Sequence, residues 1–230
     1  MKRYLVLLVL IFLYRSGEGQ VLLGIKQGVS ISSLNYVDPF DLFSIKISSI
    51  TSYSGGLVFQ FFTEKYLGFQ AELLYSGKGF KTRYDTITNK QYERKITYLS
   101  LPVFTHFYFS GRKASPFLLL GAFTGYALGS SEKFRDGDNS VSMEYAYSRE
   151  RDNKWEYGLI GGGGLKGNFA FGTIQVEGTY AFSFSSLYKW GYQHNDPALN
   201  LYFAVPEETQ NTAIQISLSY LFPLNKTSLK

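Results

Sequence analysis

The 230-residue chain is poor in several residue types on which common protein functions depend. It has no cysteine, which excludes disulfide bridges and thiolate metal sites. It has only two histidines, so an acid–base catalyst has few candidates. Charged residues make up 18% of the chain, and no run of basic residues suggests binding to nucleic acid. Beyond the N-terminus, no segment reaches the ~18 uncharged apolar residues of a transmembrane helix.

Aromatic residues and glycine are abundant instead. The chain contains 19 tyrosines and 20 phenylalanines, and its 23 glycines far outnumber its 6 prolines. Such a composition is typical of a membrane β-barrel, with aromatic girdles at the interfaces and a tightly packed lumen. A soluble all-β sandwich has similar preferences, so composition alone leaves both all-β architectures open.

The N-terminus has the pattern of a secretory signal peptide. Lys2 and Arg3 precede the apolar run Leu5–Tyr14, and small residues follow at Ser16–Gly19. Ten apolar residues are too few to span a bilayer, and a buried helix here would be apolar on every side. We therefore expect residues 1–19 to be a signal peptide and residues 20–230 to form the outer-membrane domain. Export would remove 3 basic residues and 1 acidic residue, and the 20 basic and 17 acidic residues that remain give a net charge of +3.

Apolar and polar residues alternate along the stretch Thr212–Phe222, TAIQISLSYLF. A period of two predicts a β-strand with one apolar face, broken here only by Leu221. The strand ends in the aromatic pair Tyr220 and Phe222, and we expect it to close a barrel against the first strand. The seven other predicted strands are Leu23–Leu34, Tyr53–Phe62, Tyr66–Gly79, Arg94–Phe109, Pro116–Gly129, Lys154–Lys166 and Ala170–Ser185.

The connections between these strands alternate between long and short. Residues 63–65, 110–115 and 167–169 are short turns, whereas 35–52, 80–93, 130–153 and 186–211 are long. Transmembrane barrels have this arrangement because short turns face the periplasm and long loops face outward, and a sandwich has no reason to adopt it. The sequence therefore predicts an up-and-down, eight-stranded antiparallel transmembrane β-barrel of a Gram-negative cell outer membrane, with both termini in the periplasm. Alternating pieces within the long loops, at Phe43–Ile50, Val141–Tyr147 and Leu201–Val205, predict hairpins that extend above the bilayer.

Five stretches of the predicted strands together carry a resemblance to a known family. They are Gly24–Leu34, Phe69–Phe80, Tyr98–Phe109, Pro116–Leu128 and Ile216–Phe222. Over nearly the whole predicted mature length, the chain resembles the PorT-like outer-membrane β-barrel family of Bacteroidota. The resemblance implies a barrel fold and says little about activity, because architecture largely defines that family. Ser100 departs from a family pattern that often has an acidic residue at this position.

Six charged residues fall on the predicted lumen face. An eight-stranded barrel is filled by its own side chains, and an unpaired charge there costs several kcal/mol, so we expect these groups to pair. In particular, Glu72 and Glu177 are expected to meet Lys26 or Arg94. An ion pathway is the less favoured alternative. The six residues are Lys26, Glu72, Arg94, Glu156, Lys166 and Glu177.

The two histidines are predicted to lie at opposite ends of the barrel. His106 is expected near the periplasmic end as a hydrogen-bonding lumen residue, and His194 in the last external loop. A hydrolase that modifies lipid would need a nucleophile beside a base, and only His194 with Ser185 or Ser186, oriented by Asp196, offers one. We expect no catalytic residue and no enzyme activity.

Two further motifs have ordinary structural explanations. The run Gly161–Gly164 lacks the Lys-Ser/Thr and the helix of a phosphate-binding loop, so we expect it to make room for bulky neighbours on a strand. Asp136–Asn139 lacks the glutamate of a calcium loop, because Tyr147 occupies the twelfth position, and we expect a plain turn. No cofactor and no metal are predicted.

The last long loop carries a concentration of aromatic residues, which either forms a contact surface or packs the loops together. Membrane lipid is the expected partner of the wall, and a protein partner in a secretion or envelope assembly is expected at the loops or turns. The predicted function is therefore a structural or interaction role, and a lipid or lipopolysaccharide hydrolase and a small-solute channel remain as alternatives. The loop aromatics are Trp190, Tyr192, Tyr202 and Phe203.

Overall fold

A computed structural model of the chain describes eleven β-strands. The residues described are 20–36, 46–62, 66–83, 91–109, 114–137, 139–189, 193–196, 201–204 and 209–224. The predicted signal peptide, residues 1–19, lies outside them. The strands are β1 (Gln20–Tyr36), β2 (Lys46–Phe62), β3 (Leu67–Arg83), β4 (Gln91–Tyr108), β5 (Ser115–Asp136), β6 (Asn139–Glu144), β7 (Trp155–Phe169), β8 (Gly172–Ser186), β9 (Gln193–Asp196), β10 (Leu201–Ala204) and β11 (Thr209–Pro223).

Eight of these strands form a closed antiparallel barrel. The order around the wall is β1, β2, β3, β4, β5, β7, β8 and β11, and pairing of β11 with β1 closes the barrel. The closing pair runs from Leu22 opposite Pro223 to Tyr36 opposite Thr209. Every wall strand therefore has a partner on both sides, which satisfies the backbone groups that would otherwise face lipid. The predicted eight-stranded antiparallel β-barrel is confirmed.

The alternation along each strand separates an apolar outer face from a filled interior. On β11, the side chains of Ile214, Ile216 and Leu218 are 53%, 64% and 55% exposed, because they face the surroundings of the barrel. Leu221, the residue that broke the pattern, is 0% exposed and packs inside against Leu22 and other apolar residues. An outer face of this kind suits contact with lipid acyl chains. Within the described residues, no helix is long and apolar enough to cross a membrane.

The wall strands extend beyond their predicted bounds at the end with the long connections. β2 begins at Lys46 rather than Tyr53, and β5 continues to Asp136 rather than ending at Gly129. The reason is pairing above the barrel wall, where β5 forms a hairpin with β6 around Gly137, whose φ of 58° is left-handed. β9 and β10 form a second hairpin. These hairpins confirm the described parts of the predicted extensions, whereas residues 43–45 and 205 lie outside the described residues. Asp136 pairs with Asn139 where β5 turns into β6, in agreement with the expected turn.

The opposite end of the barrel has the short turns, and the first and the last wall strand have their free ends there. β1 begins here and β11 ends here, and the connections β2–β3, β4–β5 and β7–β8 are all short. The β7–β8 turn is a tight hairpin in which Phe169 pairs with Gly172, whose φ of 147° favours glycine. This end is called the turn end below, and the other is called the long-loop end.

The glycine run lies on β7, where it allows the neighbouring strand to approach closely. A Cβ atom on Gly162 would lie 2.1 Å from the carbonyl oxygen of Gly178, and one on Gly164 would lie 2.7 Å from the ring of Phe117. β7 is a strand throughout, so the run has no helix N-terminus for a phosphate. The glycines make room for a lumen phenylalanine and for β8.

Candidate functional site: the barrel lumen

An ion cluster contributed by three different strands occupies the lumen. The Lys26 ammonium on β1 lies 2.6 Å from Oε1 of Glu72 on β3 and also contacts Oε1 of Glu177 on β8. All three side chains are buried. Two carboxylates around one ammonium satisfy charges that would otherwise be very unfavourable away from water.

A layer of three glutamines extends this cluster. The Gln60 amide nitrogen donates to the side-chain oxygens of Gln70 and Gln175, at 2.6 and 2.8 Å. Gln70 donates in turn to Glu72, and Gln175 donates to Glu177. Each carboxylate therefore has both an ammonium and an amide partner. The period of two puts all three glutamines on the inner faces of their strands, but the sequence analysis did not name them as partners of the acidic residues.

A second ion pair joins β3 to β7. The Lys78 ammonium lies 2.8 Å from Oε2 of Glu156, and the same ammonium lies 4.5 Å from the centroid of the Phe123 ring. Sequence reasoning named Glu156 but missed Lys78. The available signal was the period of two, since Lys78 is two residues beyond Ser76 on the same face of β3.

A small cavity lies in the lumen, with Lys26 and Glu72 of the ion cluster and Lys78 of the second ion pair in its wall. Its volume is about 30 Å³, enough for about two water molecules. Apolar clusters fill the lumen on either side of the charged layers. Toward the long-loop end, the buried residues are Leu34, Phe80, Ile96, Tyr98, Ala127 and Leu187; toward the turn end, they are Leu22, Val58, Phe62, Phe104, Phe117, Leu119 and Leu221.

Arg94 does not join an acidic partner, contrary to the expectation from sequence. Its guanidinium donates to the Tyr188 hydroxyl at 2.8 Å and to Ser130 Oγ at 3.2 Å, and lies 3.5 Å from the centroid of the Tyr145 ring. The reason is its height along the barrel. β4 residues near 102 lie beside Glu72, so Arg94 is about eight residues, or roughly 26 Å, farther along the strand.

Lys166 also lies apart from the predicted charge network. Its ammonium lies 4.1 Å from the centroid of the Phe62 ring and 4.9 Å from that of Tyr108, and no carboxylate of the described residues is within ion-pair distance. His106 stacks on Tyr108 with ring centroids 4.0 Å apart and shares a 3.0 Å hydrogen bond with its hydroxyl through Nδ1. Lys166 and these rings fill the lumen near the turn end.

A short segment, residues 145–153, covers the lumen at the long-loop end and is called the cap below. Asp152 holds it together by accepting hydrogen bonds from the Tyr145 hydroxyl at 2.6 Å, the Ser148 amide at 2.7 Å and Arg151 Nη2 at 3.0 Å. Burial alone would raise the pKa of the Asp152 carboxyl, but these hydrogen bonds outweigh burial and lower that pKa. The cap places the Tyr145 ring over the Arg94 guanidinium at the long-loop end of the lumen.

Of the hydrolase site considered from sequence, the structure describes the side chains of the two serines, while those of His194 and Asp196 lie outside the described residues. The Ser185 hydroxyl accepts a hydrogen bond from the Tyr157 amide and pairs with the Ser183 hydroxyl, and Ser186 pairs with Thr209. His194 lies on β9, opposite Phe203. Among the described residues, no group of three or more His, Cys, Asp or Glu side chains could hold a metal ion.

The predicted aromatic contact residues fall in two places. Tyr202 and Phe203 lie on β10, whereas Trp190 and Tyr192 lie outside the described residues. At the turn end, the closing-strand residues Tyr220 and Phe222 pack edge to face with centroids 4.4 Å apart. The Tyr220 hydroxyl also donates to the Phe171 carbonyl oxygen at 2.6 Å, which ties the closing strand to the β7–β8 turn.

Comparisons with known proteins identify the family of this chain. The chain is similar to OprG of Pseudomonas aeruginosa at 14% sequence identity, with 90% of this chain and 98% of that chain covered and a TM-score of 0.44. It is similar to Ail of Yersinia pestis, in complex with the heparin analogue sucrose octasulfate, at 13% identity, with 88% of this chain and 99% of that chain covered and a TM-score of 0.41. For Neisserial surface protein A the identity is 10%, the coverage is 87% of this chain and 97% of that chain, and the TM-score is 0.39. Likeness at this level carries no argument about function. No curated protein matches the chain. The family model described as outer membrane protein beta-barrel domain matches residues 15–189. The chain therefore belongs to the outer membrane protein β-barrel domain family, and it is an outer-membrane barrel in contact with membrane lipid.

Proposed function

We propose that the protein is a non-enzymatic structural or interaction protein of the outer membrane, whose loops or turns bind a protein partner in a secretion or envelope assembly. The filled lumen is the observation that carries this proposal. A lumen filled by its own side chains, with Lys26 and Lys78 in ion pairs, leaves the ends of the barrel as the surface where a partner can bind.

The lumen argues against the small-solute channel. A solute crossing it would have to pass the apolar clusters and break contacts of Lys26 with Glu72 and of Lys78 with Glu156. Breaking a buried ion pair costs about 3–5 kcal/mol. The cavity of about 30 Å³ is too small for anything larger than water.

The hydrogen bonds of the candidate catalytic groups argue against a hydrolase. His106, the histidine whose side chain is described, bonds to Tyr108 rather than to a serine, and Ser185 takes part in a hydrogen bond of the barrel wall. A nucleophile needs a base within hydrogen-bond reach. A His194→Ala variant that retained any lipid hydrolysis seen in the wild type would leave the loop without a catalytic role.

The finer assignments are part of the same proposal. The five resembling stretches support membership in the PorT-like group. The basic and apolar N-terminus supports a cleaved signal peptide, residues 1–19, and the short turns beside both ends of the wall support periplasmic termini.

A pull-down in mild detergent from native membranes, followed by mass spectrometry, tests the interaction role. We expect a stoichiometric protein partner that is lost in a Tyr202→Ser/Phe203→Ser variant. The matched control is Phe134→Ser, which changes an aromatic residue, 44% exposed, of the β5–β6 extension at the same end. Recovery of the barrel alone would contradict an assembly subunit, and conductance steps in planar bilayers would support the channel instead.

A further inference from the structure

A group of basic side chains lies on the outer face of the barrel at the long-loop end. It consists of Lys81 on β3, Lys95 on β4, and Lys133 and Arg135 on β5, around the carboxylate of Glu93, and is called the basic patch below. Lys81 pairs with Glu93, and Glu93 pairs with Lys133, across adjacent strands. Directly opposed residues share a face of the sheet, so these side chains all point away from the lumen.

The basic patch contains a concave site with excess positive charge. Lys81, Glu93, Lys133 and Arg135 line it together with Gln91, and its volume is about 120 Å³. Its three basic residues and one acidic residue give a net charge of +2. The carboxylate of Glu93 lies 3.1 Å from the Lys81 ammonium. No carboxylate of the described residues is within ion-pair distance of Lys133 or Arg135, so both are available to an anion.

The basic patch begins just beyond the apolar band of the wall. On the outer face of β4, Lys95 lies four residues before Leu99, and on β5, Lys133 lies five residues after Leu128. Both leucines are exposed apolar residues of the band. Four to five residues span about 13–17 Å along a strand, or roughly 10–13 Å of height at the usual tilt of a barrel strand. Headgroups occupy about 5–8 Å outside the hydrocarbon core, and long basic side chains reach back toward them.

We propose that the basic patch binds the phosphate of an anionic lipid headgroup in the leaflet at the long-loop end. The site faces outward from a wall whose lower part contacts acyl chains, so a lipid can contact both at once. The Arg135 guanidinium can bind two phosphate oxygens, and Lys133 supplies a second charge beside it. A lipid already held against the wall loses little further freedom on binding.

Native mass spectrometry of the purified barrel in a zwitterionic detergent tests the proposal. The probe is phosphatidylglycerol, with phosphatidylcholine as the lipid of no net charge. A Lys133→Gln/Arg135→Gln variant should bind phosphatidylglycerol about 25-fold more weakly, since each basic residue near a charged lipid surface contributes about fivefold. A Glu93→Gln variant, which removes the carboxylate that lines the concave site, should bind phosphatidylglycerol about fivefold more tightly.

The matched control removes two charges from the same end of the barrel. Arg149 and Lys189 are exposed, and the Lys189 ammonium contacts the Arg149 carbonyl oxygen in the cap region. An Arg149→Gln/Lys189→Gln variant should bind phosphatidylglycerol as the wild type does. Equal losses in both double variants would overturn the proposal, and so would competition by millimolar inorganic phosphate, which would assign the site to soluble anions. Unchanged gel mobility of unheated samples shows that each variant is folded.

Discussion

Replacing Lys26 with methionine removes the one cation between two buried carboxylates. Lys26 and Glu72 are each 2% exposed and Glu177 is 1% exposed, so neither acid becomes exposed to bulk water when the ammonium is lost. Removing one partner of a buried ion pair costs about 3–5 kcal/mol. With a urea slope of about 2 kcal/mol per molar, the unfolding midpoint should fall by roughly 2 M. The assay is urea unfolding in detergent micelles, with the folded fraction read from the gel mobility of unheated samples.

Two controls separate the loss of the ion pairs from the loss of a lysine side chain. Lys166→Met removes a cation that contacts only aromatic rings, so the free energy of unfolding should fall by only about 0.5–2 kcal/mol. A neutral Lys26→Met/Glu72→Gln/Glu177→Gln variant should recover most of the lost stability, because it leaves no unpaired charge. Equal losses for Lys26→Met and Lys166→Met, or a triple variant no more stable than Lys26→Met, would refute the reasoning.

Three further substitutions test the wall, the cap and the closing strand. Gly164→Ala places a Cβ 2.1 Å from a carbonyl oxygen of β8 and should reduce the folded fraction after refolding. Gly178→Ala is the control, because its Cβ meets nothing within 4 Å and the folded fraction should not change. Equal folded fractions for the two variants would contradict the close approach of β7 and β8. Asp152→Ala should raise amide hydrogen exchange in the cap about tenfold to a hundredfold, as the loss of about 1.5–3 kcal/mol implies. The pKa of Asp152 in the folded protein lies below its unfolded value of about 3.9. Protection of the cap amides from hydrogen exchange in the wild type should therefore be constant from pH 7 to about 4 and should decrease only as the pH falls further. Loss of this protection near pH 6 would exclude the Asp152 carboxyl as its cause. Tyr220→Phe removes the 2.6 Å hydrogen bond to the β7–β8 turn and should lower the free energy of unfolding by about 0.5–1.5 kcal/mol. Tyr180→Phe on the outer face is the control and should change that free energy little. Equal effects of the two substitutions would exclude a stabilising role of the hydrogen bond.

Height along the barrel axis explains why the lumen contacts were only partly predictable. The period of two correctly placed Arg94 and Lys166 on the inner face, but residues on that face contact each other only when the strand register puts them at the same level. Arg94 lies near the long-loop end among tyrosines, and Lys166 lies near the turn end among aromatic rings. At these two levels, the cations contact aromatic rings and hydroxyl groups rather than carboxylates.

The strand extensions show a related limit. Alternation on Pro116–Gly129 is weak because the inward residues Phe117, Leu119 and Phe123 are as apolar as the outward leucines. Pattern alone could not show that β5 continues to Asp136, because that part of β5 is stabilised by pairing with β4 and β6. Pairing of this kind depends on neighbours that are distant in the sequence.

The wall of the barrel was predictable from local patterns in the chain. Alternation of apolar and polar residues assigned an inner and an outer face to each strand, and the alternation of long and short connections predicted eight strands in up-and-down order. Which lumen groups contact each other became clear only from the folded barrel. Lys26 and Glu177 are 151 residues apart and Lys78 and Glu156 are 78 apart, and ring closure with its particular register brings each pair into contact. The physical reason is that a strand's pattern determines the direction of a side chain, whereas its partners depend on the register of all eight strands.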